Sequence, residues 1–260
     1  MNDIPRRRIW SRLIVILCLL IVLQVNVSPV NAADRWDTAL EHIDHIYDNL
    51  TSLKAVTQLE TQHIQDQRKK NNIALKSLNT KITAIDLEWI NTLQIRYDQT
   101  LQKHSPLLEQ YTALTKQATA ARKNKDKKLA DLIDLKRNKL LASVLAARTD
   151  VKAKKEALST AKKQRTSKIK TMKDLLTPVQ NLKKQITAEN KTITAAKQIY
   201  SAAEKRYKAN VKQGNAVTAD EELTLMYDQM QIIHTSQQKI VEWEKQISQI
   251  ILTAETRLPK

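Results

Sequence analysis

Apolar residues recur every three and four positions along the C-terminal third of the chain. Val179, Leu182, Ile186, Glu189, Ile193, Ala196, Tyr200, Ala203, Tyr207 and Asn210 keep this rhythm. Leu223, Met226, Met230, Ile233, Gln237, Ile240, Glu244, Ile247, Ile251, Ala254 and Leu258 keep it again. Alternation sustained this long is the heptad pattern of a coiled coil rather than of an ordinary surface helix. Between the two runs stands Gly214, followed by Thr218-Ala219-Asp220-Glu221, a capping box of the form T-x-x-E. A helix that stops at glycine and restarts at a capped threonine predicts a turn over 213–218 and an antiparallel hairpin. One register, in which paired positions add to 433, sets Tyr207 on Met226, Ile193 on Ile240 and Ile186 on Ile247. It also sets Glu189 opposite Glu244. Two carboxylates in one layer repel unless water solvates both or a cation from the second helix closes over them.

The N-terminal half carries the same spacing less regularly. Trp36, Leu40, Ile43, Tyr47 and Leu50 form one run, Leu75, Leu78, Ile82, Ile85 and Trp89 another, with a slip in phase between them. Ser105-Pro106 and Thr177-Pro178-Val179-Gln180 are helix-start signatures, with proline where no amide donor is missed. Together these marks predict helices near 35–103, 106–175, 178–212 and 219–258, the first two each ~100 Å long at 1.5 Å per residue. Two arrangements fit the first pair: a second hairpin turning at 104–106, or a single helix kinked at Pro106. The expected organisation is a leader over 1–32, a long helix over 33–105, a basic long helix over 106–176 and a coiled-coil hairpin over 177–260.

Composition narrows the class. The 260 residues include one glycine, five prolines and no phenylalanine. Sandwiches, barrels and doubly wound sheets need glycine-bearing turns that this chain lacks. Phosphate-cradling loops and dinucleotide fingerprints need clustered glycines and are excluded with them. The predicted fold class is all-α, as elongated antiparallel coiled-coil hairpins or a long-helix bundle.

The first residues predict an address. Arg6, Arg7, Arg8 and Arg12 precede an unbroken apolar run from Leu13 to Leu23, and Val30-Asn31-Ala32 offers small residues to a signal peptidase. The run has 11 residues, short of the ~20 that span a bilayer. It reads as a cleaved secretory signal with the mature chain starting near Ala33, or as a retained anchor. Either reading expects the body outside the cytoplasm, in the cell envelope. Cys18, the single cysteine, lies inside the leader, so the mature chain is expected to hold no disulfide and no cysteine-based metal site.

Charge is concentrated in one segment. Beyond residue 32 the chain has 40 Lys and Arg against 26 Asp and Glu, and residues 116–173 alone have 19 against 5. Both differences are +14, so the excess belongs to the predicted second helix. Its seam is thin and alanine-rich, through Ala118, Ala121, Leu129, Leu132, Val144, Val151, Leu158, Ala161 and Ile169. Arg122, Lys123, Lys127, Lys128, Arg137, Lys154, Lys155, Lys162 and Lys163 are its candidate contacts to an anionic surface of lipid headgroups or wall polymers. The alternative is that these side chains only keep a long helix soluble. Nucleic acid is not an expected partner, because aromatics for base stacking are scarce and export leads away from it. His42 and His45, spaced to reach one metal from a helix, lie opposite the side predicted to be buried by Leu40, Ile43 and Tyr47. No catalytic constellation, metal set or cofactor motif is predicted, and the chain is not expected to be an enzyme.

The stretch Ala202-Ala203-Glu204-Lys205-Arg206-Tyr207-Lys208, with Gly214-Asn215-Ala216-Val217-Thr218 and Glu221-Glu222-Leu223, resembles TolC-type outer-membrane efflux factors. In that family a coiled-coil helix ends in an aromatic-x-x-Gly turn and an acidic-x-Leu opens the returning helix at a tip where adaptor proteins dock. The likeness covers about residues 196–258 and is not accompanied by alternating strands for a barrel. It implies that Gly214 makes a tip turn, that Thr218 caps the return helix, and that Glu221, Glu222 and Leu223 lie at a docking end. Two functions are therefore expected: an envelope docking protein of an export assembly, or a coiled-coil spacer on an anionic surface. A protein partner or self-association through the coiled coil accompanies the first.

Overall fold

The computed structural model describes residues 32–259; the secretory signal expected over 1–32 lies outside them except for its last residue. The protein is all-α, with no strand among the described residues. Its helices are α1 (Ala32–Ala84), α2 (Leu87–Lys123), α3 (Lys127–Gln213) and α4 (Ala216–Thr256). They divide into two units: the chain through Gln58 with Thr192–Thr235, and Leu59–Lys191 with Ser236–Lys260. Helices α1, α3 and α4 contribute residues to both.

In the first unit, His42 and Asp220 meet at 2.7 Å and the Thr57 hydroxyl reaches the Met230 sulfur at 3.5 Å, so α1 and α4 run parallel there. Helix α3 runs against α4, with Arg206 on Glu222. In the second unit α1 again follows α4, with Arg68 on Glu244 and Lys81 on Glu255. There α3 opposes both α1, through Lys183 and Asn72 at 3.1 Å, and α4, through Lys239 and Glu189 at 3.1 Å. Helix α2 packs on α3, through Ile90, Leu158 and Ala161 and then through Ala118, Ala121, Ala130 and Ile133.

The α4 seam lies where its heptads place it: Leu223, Met226, Met230, Ile233, Gln237, Ile240, Glu244, Ile247, Ile251 and Ala254 are all buried. The α1 seam does so only in part, with Leu50, Leu78, Ile82 and Ile85 buried as predicted. Trp36, Leu40 and Tyr47 are exposed, and burial falls on Ala39, Ile46, Leu50, Thr57, Ile64, Asn71, Leu78, Ile82 and Ile85. The apparent slip in phase is a continuous seam in which alanine, threonine and asparagine occupy positions that large apolar residues would have advertised.

The hairpin register also differs from the expected one. Glu189 pairs with Lys239 and Arg206 with Glu222, so opposed positions add to 428, five fewer than expected. Glu189 and Glu244 consequently do not share a layer. Glu244 is held by Arg68 and Asn71 of α1. Burial works against the Glu189 charge, but hydrogen bonds from Ser236 and Lys239, with the Lys239 ammonium itself, hold its carboxyl below the usual range.

Three breaks interrupt the helices among the described residues, and only one coincides with a predicted turn. At Gly214 (φ 72°) the Asn215 amide donates to the Asn210 carbonyl at 3.0 Å and the Gly214 amide to Val211 at 3.2 Å. These are the two bonds of a Schellman ending, which requires a left-handed residue. Helix α4 restarts at Ala216, with the Ala219 amide on the Asn215 carbonyl at 2.9 Å, so Thr218 stands inside the helix and is not its cap. The second reversal is not at 104–106 but at Asn124, Lys125 and Asp126. There Lys125 (φ 61°) takes the left-handed position of the same motif, and Asp126 caps α3 through the Leu129 amide at 2.9 Å. Pro106 and Pro178 lie within α2 and α3, which run through both. Their preceding hydroxyls do not cap: Ser105 donates to the Glu109 carboxylate at 2.6 Å and Thr177 back to the Lys173 carbonyl at 3.5 Å. Burial of Leu176 and Val179 on one uninterrupted seam outweighs the proline, which costs about 3 kcal/mol in a helix interior.

The third break separates α1 from α2 at Ile85 and Asp86. Asp86 adopts φ 51°, and the carbonyls freed beside it are taken by Arg165 of α3, which donates to Ile85 and to Thr83, each at 2.7 Å. Lys168 pairs with the Asp86 carboxylate at 2.7 Å.

The two left-handed turn residues make opposite predictions. A Cβ at Gly214 would meet nothing within 4 Å, so Gly214→Ala should lose only the left-handed preference, about 1 kcal/mol. Lys125→Gly should gain up to about 1 kcal/mol by removing the same strain. Urea unfolding followed by helical circular dichroism checks both, and a Lys125→Gly loss would refute the turn geometry.

Candidate functional site

Two hairpin ends collect many of the residues singled out in the sequence, while Lys154, Lys155, Lys162 and Lys163 lie farther along α3, where Lys162 meets Gln94 of α2. The first is the Gly214 turn. The Trp36 indole N–H donates to the Gly214 carbonyl at 3.4 Å, so α1 reaches the turn as a third element. Tyr47 of α1 lies near Tyr200 and Tyr207 of α3. Burial pushes the Tyr200 phenol up, with Glu204 and Tyr47 adding to it, and burial then Tyr47 do the same for Tyr207. Gly214, Thr218 and Glu221 are exposed at this end. Glu222 is half-buried and accepts both arms of the Arg206 guanidinium, and Leu223 is 0% exposed in the core. The five residues are thus brought together, but two of them serve internal packing. His42 bonds Asp220, while His45 points to solvent. No group of three or more His, Cys, Asp or Glu among the described residues is placed to hold a metal.

The second end is the turn between α2 and α3. Its core consists of small side chains, Ala118, Ala121 and Ala130 with Ile133, so the two backbones approach closely and project their long side chains outward. The predicted seam through Leu129 and Leu132 is displaced onto Ala130 and Ile133. The three-residue turn resets the helical phase after Ala121, which leaves Leu129 47%, Leu132 50% and Leu135 69% exposed.

Nine cations were proposed for this face, and the structure sorts them. Arg122 and Arg137 both grip Asp134 and hold the turn together. Lys162 donates to the Gln94 side-chain oxygen at 3.1 Å. Lys123, Lys127, Lys128, Lys154, Lys155 and Lys163 are exposed and make no ion pair with a described residue. Sequence reasoning passed over Lys125, Lys136 and Lys139, which are exposed at the same end. The signal for Lys125 was Asn124 and Asp126 on either side, residue types that favour turns when no glycine is present. The aliphatic stems of such lysines lie along neighbouring apolar surface while the ammonium stays in water.

No helix among the described residues is long and apolar enough to cross a membrane. No protein-family model, curated protein or solved structure matches this chain.

Proposed function

We propose that this protein is a non-enzymatic helical spacer of the cell envelope, exported by its N-terminal segment and held on an anionic surface by the end of its α2–α3 hairpin. The observation that carries this reading is the set of exposed lysines between Lys123 and Lys163, of which Lys152 alone has an acidic partner, Glu156, among the described residues. Asp134 in the same stretch is already held by Arg122 and Arg137, and Asp126 is engaged in capping α3. An excess of one sign also aids solubility, and it gives this segment a direct attraction to a surface of phosphates.

The test is retention of the full chain on phosphocellulose as salt is raised. Each lysine near an anionic surface contributes about 1 kcal/mol, so Lys123→Gln/Lys127→Gln/Lys128→Gln should weaken binding at low salt about a hundredfold. Retention that ignores salt, or that the triple variant leaves untouched, would discard the proposal.

A second reading places a docking partner at the Gly214 turn, in keeping with the resemblance to efflux-factor tips. It is favoured by the exposure of Thr218 and Glu221 beside that turn. Under it, Glu221→Arg abolishes capture of the partner in intact-cell cross-linking and leaves phosphocellulose retention unchanged.

A further inference from the structure

We infer that the end of the α2–α3 hairpin is a lipid-contact site that seats itself on an anionic bilayer, with Leu129, Leu132 and Leu135 entering the headgroup region between lysines. The inference rests on the anionic-surface reading and specifies which anionic surface is meant. Ala130, Ile133 and Val144 mark the side of α3 that faces α2. At about 100° per residue, steps of three turn the helix back by about 60°, so Leu129 flanks the packed side while Leu132 and then Leu135 lead onto the opposite side. On the same count Lys136 falls between Leu129 and Leu132, and Lys128 and Lys139 fall between Leu132 and Leu135. Single exposed leucines need no explanation. Three along one exposed arc of about 120°, each beside a lysine, form a surface in which apolar and cationic groups alternate.

Charge selects the occupant. Residues 122–139 hold eight Lys and Arg against three Asp, so a second copy of this end would bring like charges together. A wall polymer would neutralise the lysines and leave the leucines in water. An anionic bilayer satisfies both, since phosphates meet the ammonium groups while the leucines enter the boundary below them, and such peripheral binding needs the two contributions together.

Co-sedimentation of the full chain with vesicles of phosphatidylcholine and phosphatidylglycerol, set beside pure phosphatidylcholine, tests this. Leu132→Ser/Leu135→Ser should elute from phosphocellulose at the parent's salt concentration yet bind the anionic vesicles at least tenfold more weakly. Both positions are exposed, so helical circular dichroism should not change. Leu135→Trp should give a blue-shifted emission on anionic vesicles and none on phosphatidylcholine. Parent-like vesicle binding by the leucine variant, or an unshifted Leu135→Trp spectrum, overturns lipid contact and leaves the anionic-surface reading standing. Failure of the parent on phosphocellulose overturns that reading first. Capture of an acidic protein with no binding to vesicles also overturns the lipid assignment.

Discussion

Ile247→Ala should lower the stability of the protein by about 3 kcal/mol, within the 2–5 kcal/mol that such truncations cost in close-packed cores. Ile247 is 1% exposed and lies on the α4 face that also buries Ile240 and Ile251. Leu78 and Ile82, each 1% exposed, are the corresponding large side chains of α1 in the same unit. Helices spaced by several such residues cannot close up around one missing side chain, so part of the volume persists as a void. Leu252, exposed on the next turn, supplies the control: Leu252→Ala should change stability by less than about 0.5 kcal/mol. The check is urea unfolding of both variants. Equal losses would mean that α4 does not pack by the seam described.

Arg68→Ala should be nearly as damaging, at about 2–3 kcal/mol, although Arg68 itself is partly exposed. The reason is what it leaves behind. Glu244 is 3% exposed; one carboxylate oxygen accepts Arg68 Nε and the other accepts Asn71 Nδ2, each at 2.8 Å. Asn71 also donates to the Glu244 carbonyl at 2.8 Å, so it fixes the backbone beneath the charge. Without Arg68 a buried carboxylate keeps only a neutral amide partner, and an uncompensated charge in the interior is costly. Water admitted through the space vacated by the guanidinium keeps the loss at the lower end of the range for buried pairs. Arg68→Met/Glu244→Leu removes both charges and should return close to the parent's stability. A double-mutant cycle in urea separates the outcomes: additive single and double losses would show that the pair does not interact.

That same cluster explains why the seam of the first helix is legible only in part, at Leu50, Leu78, Ile82 and Ile85, and that of the fourth throughout. In α4 nearly every seam position is Leu, Met or Ile, and the spacing alone identifies the buried face. In α1 the seam passes through Ala39, Thr57 and Asn71, whose burial depends on partners such as Met230 and Glu244 far along the chain. Exposed Trp36 and Tyr47 then imitate a seam one position away. The candidate site shows the same division. Lysine density between 116 and 173 was plain from the sequence, but which lysines stay free depended on Asp134 drawing Arg122 and Arg137 to itself. The expected seam through Leu129 and Leu132 assumes a helix unbroken at Lys125, where Asn124 and Asp126 are the local signals of a turn and no glycine marks it.

Chain chemistry on its own settled the all-helical class, the reversal at Gly214 and the location of the excess charge. Each follows from short-range properties: the period of apolar side chains, the tolerance of glycine for positive φ, and the count of ionisable groups. Packing between distant segments decided the rest. Continuity through Pro106 and Pro178, the interruption at Asp86 secured by Arg165, and the five-residue difference in register are choices among local conformations separated by only a few kcal/mol. At that scale, contacts made tens of residues away outweigh the preference of any single residue.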